Sequence, residues 1–223
     1  MKETLEAEIY CDPFPLMVVN NFYNQEELDL IWEELNFYTA PKKLLEAKDY
    51  GGIVGHTNAK ALLLDDIYDQ TKYGGKDYRN LSNILVVNRK LFYSGILKKF
   101  SEIHDCVGIA DNTNWDITKI RYYHDGEYYD PHTDSPFQFL AFSYFYKEPK
   151  KFKGGDLEFP KYDMKLPCEN NSIVIFPGWV EHGVRKVKIE NSDYYDGWGR
   201  YSITHFFGCK DRSKEIIPKN KND

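Results

Sequence analysis

The sequence predicts an α+β fold, a β-sandwich or jelly roll buttressed by N-terminal helices. Three observations point there. Apolar residues recur at helical spacing in two stretches, both before residue 115. From Trp115 onward, short runs rich in Ile, Val, Tyr and Phe are separated by Gly, Pro, Asn and Asp, the pattern of successive strands and turns. The chain also carries 18 Tyr and 14 Phe, side chains that suit a pleated, partly buried surface better than a helix. With 223 residues and 42% apolar content there is material for one sizeable core and not for two, so residues 1–223 are expected to form a single domain. Within it, 1–114 would supply helical support and loops, 115–208 the jelly-roll core, and 209–223 a loosely ordered tail poor in apolar residues.

Taken in order, residues 16–19 read as a short strand. Asn24, with Glu27 three residues on, forms a capping box that opens a helix over about 25–37. Leu28, Ile31 and Leu35 fall on one face of that helix. A second helix is expected over about 89–103, because Phe92, Ile96, Phe100 and Ile103 recur at spacings of three and four. Between the two, Gly51, Gly52, Gly55, Gly74 and Gly75 favour mobile loops over regular elements, which makes this segment a candidate lid. Strands are expected near 116–123, 128–133, 138–146, 155–159, 172–176, 184–189 and 200–207. Such a succession after two helices is what a jelly roll with helical buttresses requires.

The formal net charge of −6 provides no global basic field of the kind that holds a polyanion, so nucleic acid is expected to be a disfavoured partner, although a local groove could be positive. Cys11, Cys106, Cys168 and Cys209 lie far apart without a Cys-x-x-Cys spacing, which argues for reduced thiols over a disulfide framework or a zinc knuckle. The first eight residues lack an apolar h-region, and no apolar run approaches the length of a bilayer crossing. A cytoplasmic protein without a membrane partner is the expectation.

The chemistry is concentrated in Tyr123-His-Asp-Gly126-Glu-Tyr-Tyr129-Asp-Pro131-His132-Thr-Asp134. The segment ends in His-x-Asp, and residues two apart on a strand project from one face, so both side chains can meet one ion. Two histidines and a carboxylate in a facial arrangement leave open positions on ferrous iron. His182, in Pro177-Gly-Trp-Val-Glu-His182-Gly, is the best-placed third ligand, just ahead of an expected strand. Three protein ligands leave two positions for the 2-oxo and carboxylate oxygens of an α-keto acid and one for dioxygen. The distal carboxylate of such a co-substrate needs a cation, and a bidentate Arg fixes both position and orientation. Arg200 opens the last expected strand, Ser202 shares its face, and Tyr123 on a neighbouring strand could add a further hydrogen bond. Tyr129 divides evenly between packing and lining the pocket.

On these residues, the region 115–208 resembles the double-stranded β-helix of the 2-oxoglutarate/Fe(II) dioxygenase superfamily, and within it the prolyl 4-hydroxylase-like branch. The matching pieces are Tyr123-x-x-Gly126-x-x-Tyr129-x-x-His132-x-Asp134, then Gly154-Gly155-Asp156-Leu157-Glu158-Phe159, then Ile173 to Pro177 ahead of His182, and finally the Arg200 strand. Val18-Val-Asn-Asn-Phe22 before a helix also resembles the start of such enzymes. The resemblance implies a 2-oxoglutarate-dependent dioxygenase, with His132, Asp134 and His182 as catalytic and metal residues and Arg200, Ser202, Tyr123 and Tyr129 around the co-substrate. It implies Fe(II), 2-oxoglutarate and O2 as cofactors, ascorbate as a stimulant, and hydroxylation of a peptide or protein residue, proline first, with succinate and CO2 as co-products. One departure bears on the substrate rather than on the cofactor. Prolyl 4-hydroxylases usually place a Lys roughly ten residues beyond the distal His, where Ser192 stands here, while other branches use Arg followed two residues later by Ser. Residues 191–198 read as an enlarged hairpin.

Each of these features also has a plainer reading. A lone His-x-Asp is common at strand ends, and His56, His104, His124 and His205 offer other choices; His205 falls on the face opposite Ser202 and reads as a packed histidine. Gly154 and Gly155 read as a tight turn, with Asp156 and Glu158 not ligands. Lys147, Lys150, Lys151 and Lys153 read as a solvated cluster, and Trp179 and Trp198 as rim residues. The same core could act on a free amino acid, a small molecule or a nucleobase. A non-catalytic jelly-roll binding module would not need two histidines, an Asp and a cation at these spacings, and a cupin-like enzyme would use the metal without a keto acid.

Overall fold

The computed structural model describes residues 5–41, 43–52 and 55–209. The tail from 210 onward and positions 53–54 of the candidate lid lie outside the described residues. Strands β1 (Ala7–Tyr10) and β2 (Leu16–Asn20) lead into helix α1 (Gln25–Thr39). Its start is fixed by the expected reciprocal cap: the Glu27 N–H donates to Asn24 Oδ1 at 2.9 Å, and the Asn24 N–H donates to Glu27 Oε2 at 2.9 Å. Next come β3 (Lys60–Leu63) and the short helices α2 (Leu64–Tyr68), α3 (Asn83–Val87), α4 (Lys90–Tyr93) and α5 (Ile96–Ser101). The remainder is β4 (Trp115–Tyr123), β5 (Tyr129–His132), β6 (Phe139–Phe145), β7 (Phe152–Lys153), β8 (Leu157–Phe159), β9 (Met164–Leu166), β10 (Ser172–Pro177), β11 (His182–Val184), β12 (Lys188–Ile189) and β13 (Arg200–Gly208).

Three expectations are corrected. The helix expected over 89–103 is two pieces, because Gly95 sits at φ 83 between α4 and α5, a left-handed conformation that glycine adopts freely and that ends a helix. The glycine-rich segment is not all loop: β3 lies within it and pairs antiparallel with β4. The strand expected over 184–189 is interrupted, with His182 inside β11 rather than ahead of it, and β12 pairs separately with β7.

The strands form a seven-stranded antiparallel sheet in the order β1-β2-β10-β6-β13-β4-β3 and a four-stranded sheet in the order β5-β11-β8-β9. Strand alternation assigns the two faces of the large sheet to different tasks. On β13, Tyr201, Ile203 and Phe207 face the helices and share a core with Ile31 and Leu35 of α1 and Phe100 of α5. The alternate residues Arg200, Ser202, Thr204 and Phe206 face the interior between the sheets, where Tyr123, Phe142, Tyr144, Phe159 and Phe176 form a second core. Burying each such aromatic side chain contributes about 1.5–3 kcal/mol, so both cores hold the large sheet rigid. This is the jelly-roll architecture expected, with helices on one face and the site between the sheets. No helix among the described residues is long and apolar enough to cross a membrane.

Candidate metal centre and co-substrate pocket

The small sheet brings the metal-ligating side chains together. β5 and β11 run antiparallel with His132 directly opposite His182, the position at which cross-strand side chains approach each other most closely. Asp134 lies just past the end of β5, and its N–H donates to Gly178 O at 2.9 Å, which fixes the turn. A Cβ at Gly178 would stand 2.7 Å from Asp134 O, so only glycine permits this closure. The ligand atoms of His132, Asp134 and His182 all lie within 4.8 Å of one another. Asp134 Oδ2 is 3.5 Å from His182 Nε2 and 3.8 Å from His132 Nε2.

The protonation of the cluster follows from its surroundings. His132 Nδ1 lies 2.9 Å from Asp130 O and His182 Nδ1 lies 2.9 Å from Val180 O. A carbonyl only accepts, so Nδ1 carries the hydrogen in each ring and Nε2 presents a lone pair. Burial, reinforced by the neighbouring His182, holds the His132 pKa down to about 4, so that ring is neutral near pH 7. Burial alone would raise the Asp134 carboxyl, but the two histidines outweigh it and hold its pKa below the usual range. His182 Nε2 is buried without a hydrogen-bond partner. Two imidazole nitrogens and a carboxylate converge here, a donor set that suits a divalent first-row cation.

The second feature is Arg200, 0% exposed, whose Nε, Nη1 and Nη2 all lack hydrogen-bond partners among the described residues. Its guanidinium carbon lies 4.8 Å from the Tyr123 ring and 4.7 Å from the Tyr144 ring. Ser202 is buried beside it on the same face and is the cross-strand partner of Tyr144. The Tyr144 hydroxyl is also buried without a partner, and burial pushes its pKa up, so it remains a donor. A buried guanidinium without an acceptor is destabilising by about 3–5 kcal/mol. One carboxylate offered to Arg200, Tyr144 and Ser202 would relieve that cost, so these residues fit the distal end of a keto diacid.

Around this frame the other singled-out residues find their places. Tyr129 is buried and stacks on His132, with ring centroids 3.9 Å apart and planes at 18°, so it both packs and lines the site. Gly154 and Gly155 make the tight turn expected, at φ 73 and 74, and Gly155 also leaves room for Arg200. His205 is buried on the helix side, 3.1 Å from Thr118 Oγ1, away from the metal ligands. The lysine run is more than a solvated cluster: Lys147 donates to Asp196 O at 2.7 Å, and Lys151 Nζ lies 3.4 Å from the Trp198 ring centroid. These contacts clasp the 191–198 hairpin, whose Tyr194 packs edge-on against Tyr122 in the helix-side core. Sequence reasoning missed Tyr144, Arg121 and Lys119. Their signal was alternation alone: Tyr144 stands on an inward position of β6, and Lys119 and Arg121 precede Tyr123 by four and two residues on β4.

Residues 118–208 match the family model described as the 2OG-Fe(II) oxygenase superfamily. The match spans less than half of the chain and covers the region that holds both the metal ligands and Arg200. The matched domain and the His/Asp/His cluster together support 2-oxoglutarate-dependent dioxygenase activity, and Fe(II), 2-oxoglutarate and O2 are the cofactors that the site of this chain suits. In fold it is similar to a Pseudomonas putida prolyl-4-hydroxylase, at 15% identity over 88% of this chain and 93% of that one, with a TM-score of 0.54. It is likewise similar to the viral collagen prolyl hydroxylase vCPH from Paramecium Bursaria Chlorella virus-1 in its 2OG complex. That match has 13% identity over 90% of this chain and 99% of that one, with a TM-score of 0.52. Both structures share the fold of this chain at 15% identity or less. No curated protein matches.

The expectation about nucleic acid is corrected. NgTET1 in complex with 5mC DNA aligns at 14% identity over 92% of this chain and 76% of that one, with a TM-score of 0.47. Nucleic acid is not to be disfavoured on a net charge of −6 alone. Net charge sums the whole surface, whereas a polyanion meets only the local field, and one cleft beside Tyr128 and Tyr129 carries four cations, Lys153, Arg185, Lys186 and Lys188, against three carboxylates, Asp130, Asp156 and Glu158.

Proposed function

We propose that this 2OG-Fe(II) oxygenase hydroxylates a residue of a peptide or protein, proline first among candidates, with succinate and CO2 as co-products. The observation that carries the reading is the presence, within one barrel, of the converging His132, Asp134 and His182 and of the sealed, unpaired Arg200. In this reading His132 and His182 offer Nε2 and Asp134 a carboxylate oxygen to Fe(II), while the Asp130 and Val180 carbonyls hold the opposite ring nitrogens and so the ring orientation. Arg200, Tyr144, Ser202 and Tyr123 receive the distal carboxylate of 2-oxoglutarate, and Tyr129 keeps the His132 ring from turning. When bound, the iron and keto acid together supply the activation of dioxygen.

A peptide is favoured as substrate because one of the three ligands, Asp134, reaches the rim of the site. The Asp134 side chain is 22% exposed where Arg200 is sealed, so a chain can be met at the rim without being enclosed. Fold similarity to two prolyl hydroxylases supports the same choice. The single unit 1–223 and a reducing, cytoplasmic setting belong to this proposal, the latter supported by four free cysteines. The test is anaerobic titration of the protein with Fe(II) and 2-oxoglutarate, followed by succinate assays on proline peptides, free amino acids and small molecules. A visible charge-transfer band that is lost in His182→Ala, with succinate formation stimulated by peptides, is the expected result. Intact folding with no band would sink the metal assignment, and stimulation by free amino acids alone would sink the peptide.

A further inference from the structure

Two cations face the interior of the barrel beside the metal ligands, and neither serves the site described above. Lys119 and Arg121 stand on the inward face of β4, cross-strand from Thr204 and Ser202 of β13. Arg121 is buried and lies over the Tyr129 ring at 4.6 Å, the ring that stacks on His132 at 3.9 Å. The guanidinium is thus one aromatic ring away from a metal ligand. Its Nε is buried without a hydrogen-bond partner. Lys119 Nζ sits between Tyr50 of the glycine-rich segment and Phe206, 5.3 Å from each ring centroid. Among the described residues, neither cation has an ion-pair partner within 4.0 Å.

The charge balance of the loaded site makes these residues informative. Fe(II) and Arg200 would be matched by Asp134 and the two carboxylates of 2-oxoglutarate, which leaves the site neutral before Arg121 and Lys119 are counted. Asp134, the acid closest in kind to a partner for Arg121, is committed to the metal. Two cations, Arg121 buried and Lys119 partly buried, are poorly compensated by aromatic faces alone, and a carboxylate bound between them would be stabilised well above its value in water. Resting on the oxygenase and peptide reading above, we propose that Arg121 and Lys119 select a substrate with an acidic residue next to the one hydroxylated. A carboxylate one residue from the target would reach the space between the Tyr50 and Tyr129 rings while the target stands over the metal. Arg121 would receive it through its fork and Lys119 as a point charge.

The test measures binding, not turnover. Protein loaded anaerobically with Mn(II) and 2-oxoglutarate is titrated with fluorescein-labelled peptides identical except for the residues flanking a central proline: Asp, Asn or Lys. A single-stranded oligodeoxynucleotide forms a fourth arm, and fluorescence anisotropy is the readout. The Asp peptide is expected to bind at least tenfold tighter than the Asn peptide, with the advantage lost in Arg121→Gln and reduced in Lys119→Gln. Lys119 is less buried than Arg121, so that variant keeps the test alive should Arg121→Gln fail to fold. Equal binding of the Asp and Asn peptides, no measurable binding of any peptide, or an advantage that survives both substitutions overturns the proposal. So does oligonucleotide binding that is lost in the same variants, which would assign the pair to a phosphodiester. Failure of Mn(II) and 2-oxoglutarate to load is a different result, and counts against the oxygenase reading itself.

Discussion

Gly155→Ala isolates the seat of Arg200. The new Cβ would stand 2.8 Å from Arg200 Cδ and 3.1 Å from Val187 Cγ2, on a backbone at φ 74. A left-handed conformation costs a non-glycine residue about 1–2 kcal/mol, which lowers the melting midpoint of a chain this size by roughly 2–8 °C. Restoring an ordinary carbon–carbon separation of about 3.5 Å requires Arg200 Cδ to retreat by about 0.7 Å. The guanidinium moves with it, which is enough to lose one of its charge-assisted hydrogen bonds to a carboxylate, about 1.5–3 kcal/mol. The dissociation constant for 2-oxoglutarate should then rise roughly tenfold to a hundredfold. Anaerobic titration of the charge-transfer band with 2-oxoglutarate, at saturating Fe(II), reads this directly, and Fe(II) affinity measured alone should not change. A variant with a lowered midpoint but unaltered 2-oxoglutarate affinity would show that Arg200 does not hold the co-substrate.

Other expectations follow from the same geometry. Asp134→Ala should abolish tight Mn(II) binding, followed by the electron paramagnetic resonance signal of the free ion, because it leaves two neutral imidazoles without a charged donor; retained tight binding would displace Asp134 from the ligand set. Tyr144→Phe removes one donor facing Arg200 and should weaken 2-oxoglutarate binding roughly two- to tenfold with folding intact, and an unchanged affinity would move the distal carboxylate away from β6. Burial, with Arg121 nearby, holds the Lys119 pKa down to about 7 from 10.5. Between those values the unfolded chain binds the proton and the folded one does not, so the stability of the parent relative to Lys119→Gln should rise from pH 7 to 10.5. The Lys119 share of acidic-peptide affinity should fall over the same rise, and a stability difference that is flat with pH would refute the burial of this amine.

How much of this was legible in the sequence depended on whether local spacing or distant packing decided the feature. Asn24 and Glu27 state a helix start within four residues, and the cap forms as read. Arg200 and Ser202 on one face of β13 follow from a period of two, as does the turn of His205 to the opposite face. Gly95 was less readable, because the apolar spacing from Phe92 to Phe100 survives the break and both short helices still pack on one core. β3 was hidden because Lys60 to Leu63 is short and its pairing partner lies about sixty residues away. Tyr144 was overlooked for a related reason, because β6 is buried along its whole length and its alternation does not reveal which side meets the site; Lys119 and Arg121 alternate with Tyr123 on β4, and that period of two was there to be read. The nucleic-acid expectation failed because it was drawn from net charge, a property of the whole surface and not of a groove.

The direct pairing of His132 with His182 has a consequence for the lifetime of the protein. The strands of the small sheet are only three or four residues long, so few backbone bonds resist their separation, and an ion shared by opposite residues of β5 and β11 acts as a clasp between them. Ligands that bind only the folded state raise the free energy of every opening that breaks their site. Iron-starved chains should therefore fray at this sheet first and present it to proteases, while loaded chains stay shut. Iron supply would then govern how many molecules of the enzyme persist as well as how fast each one works.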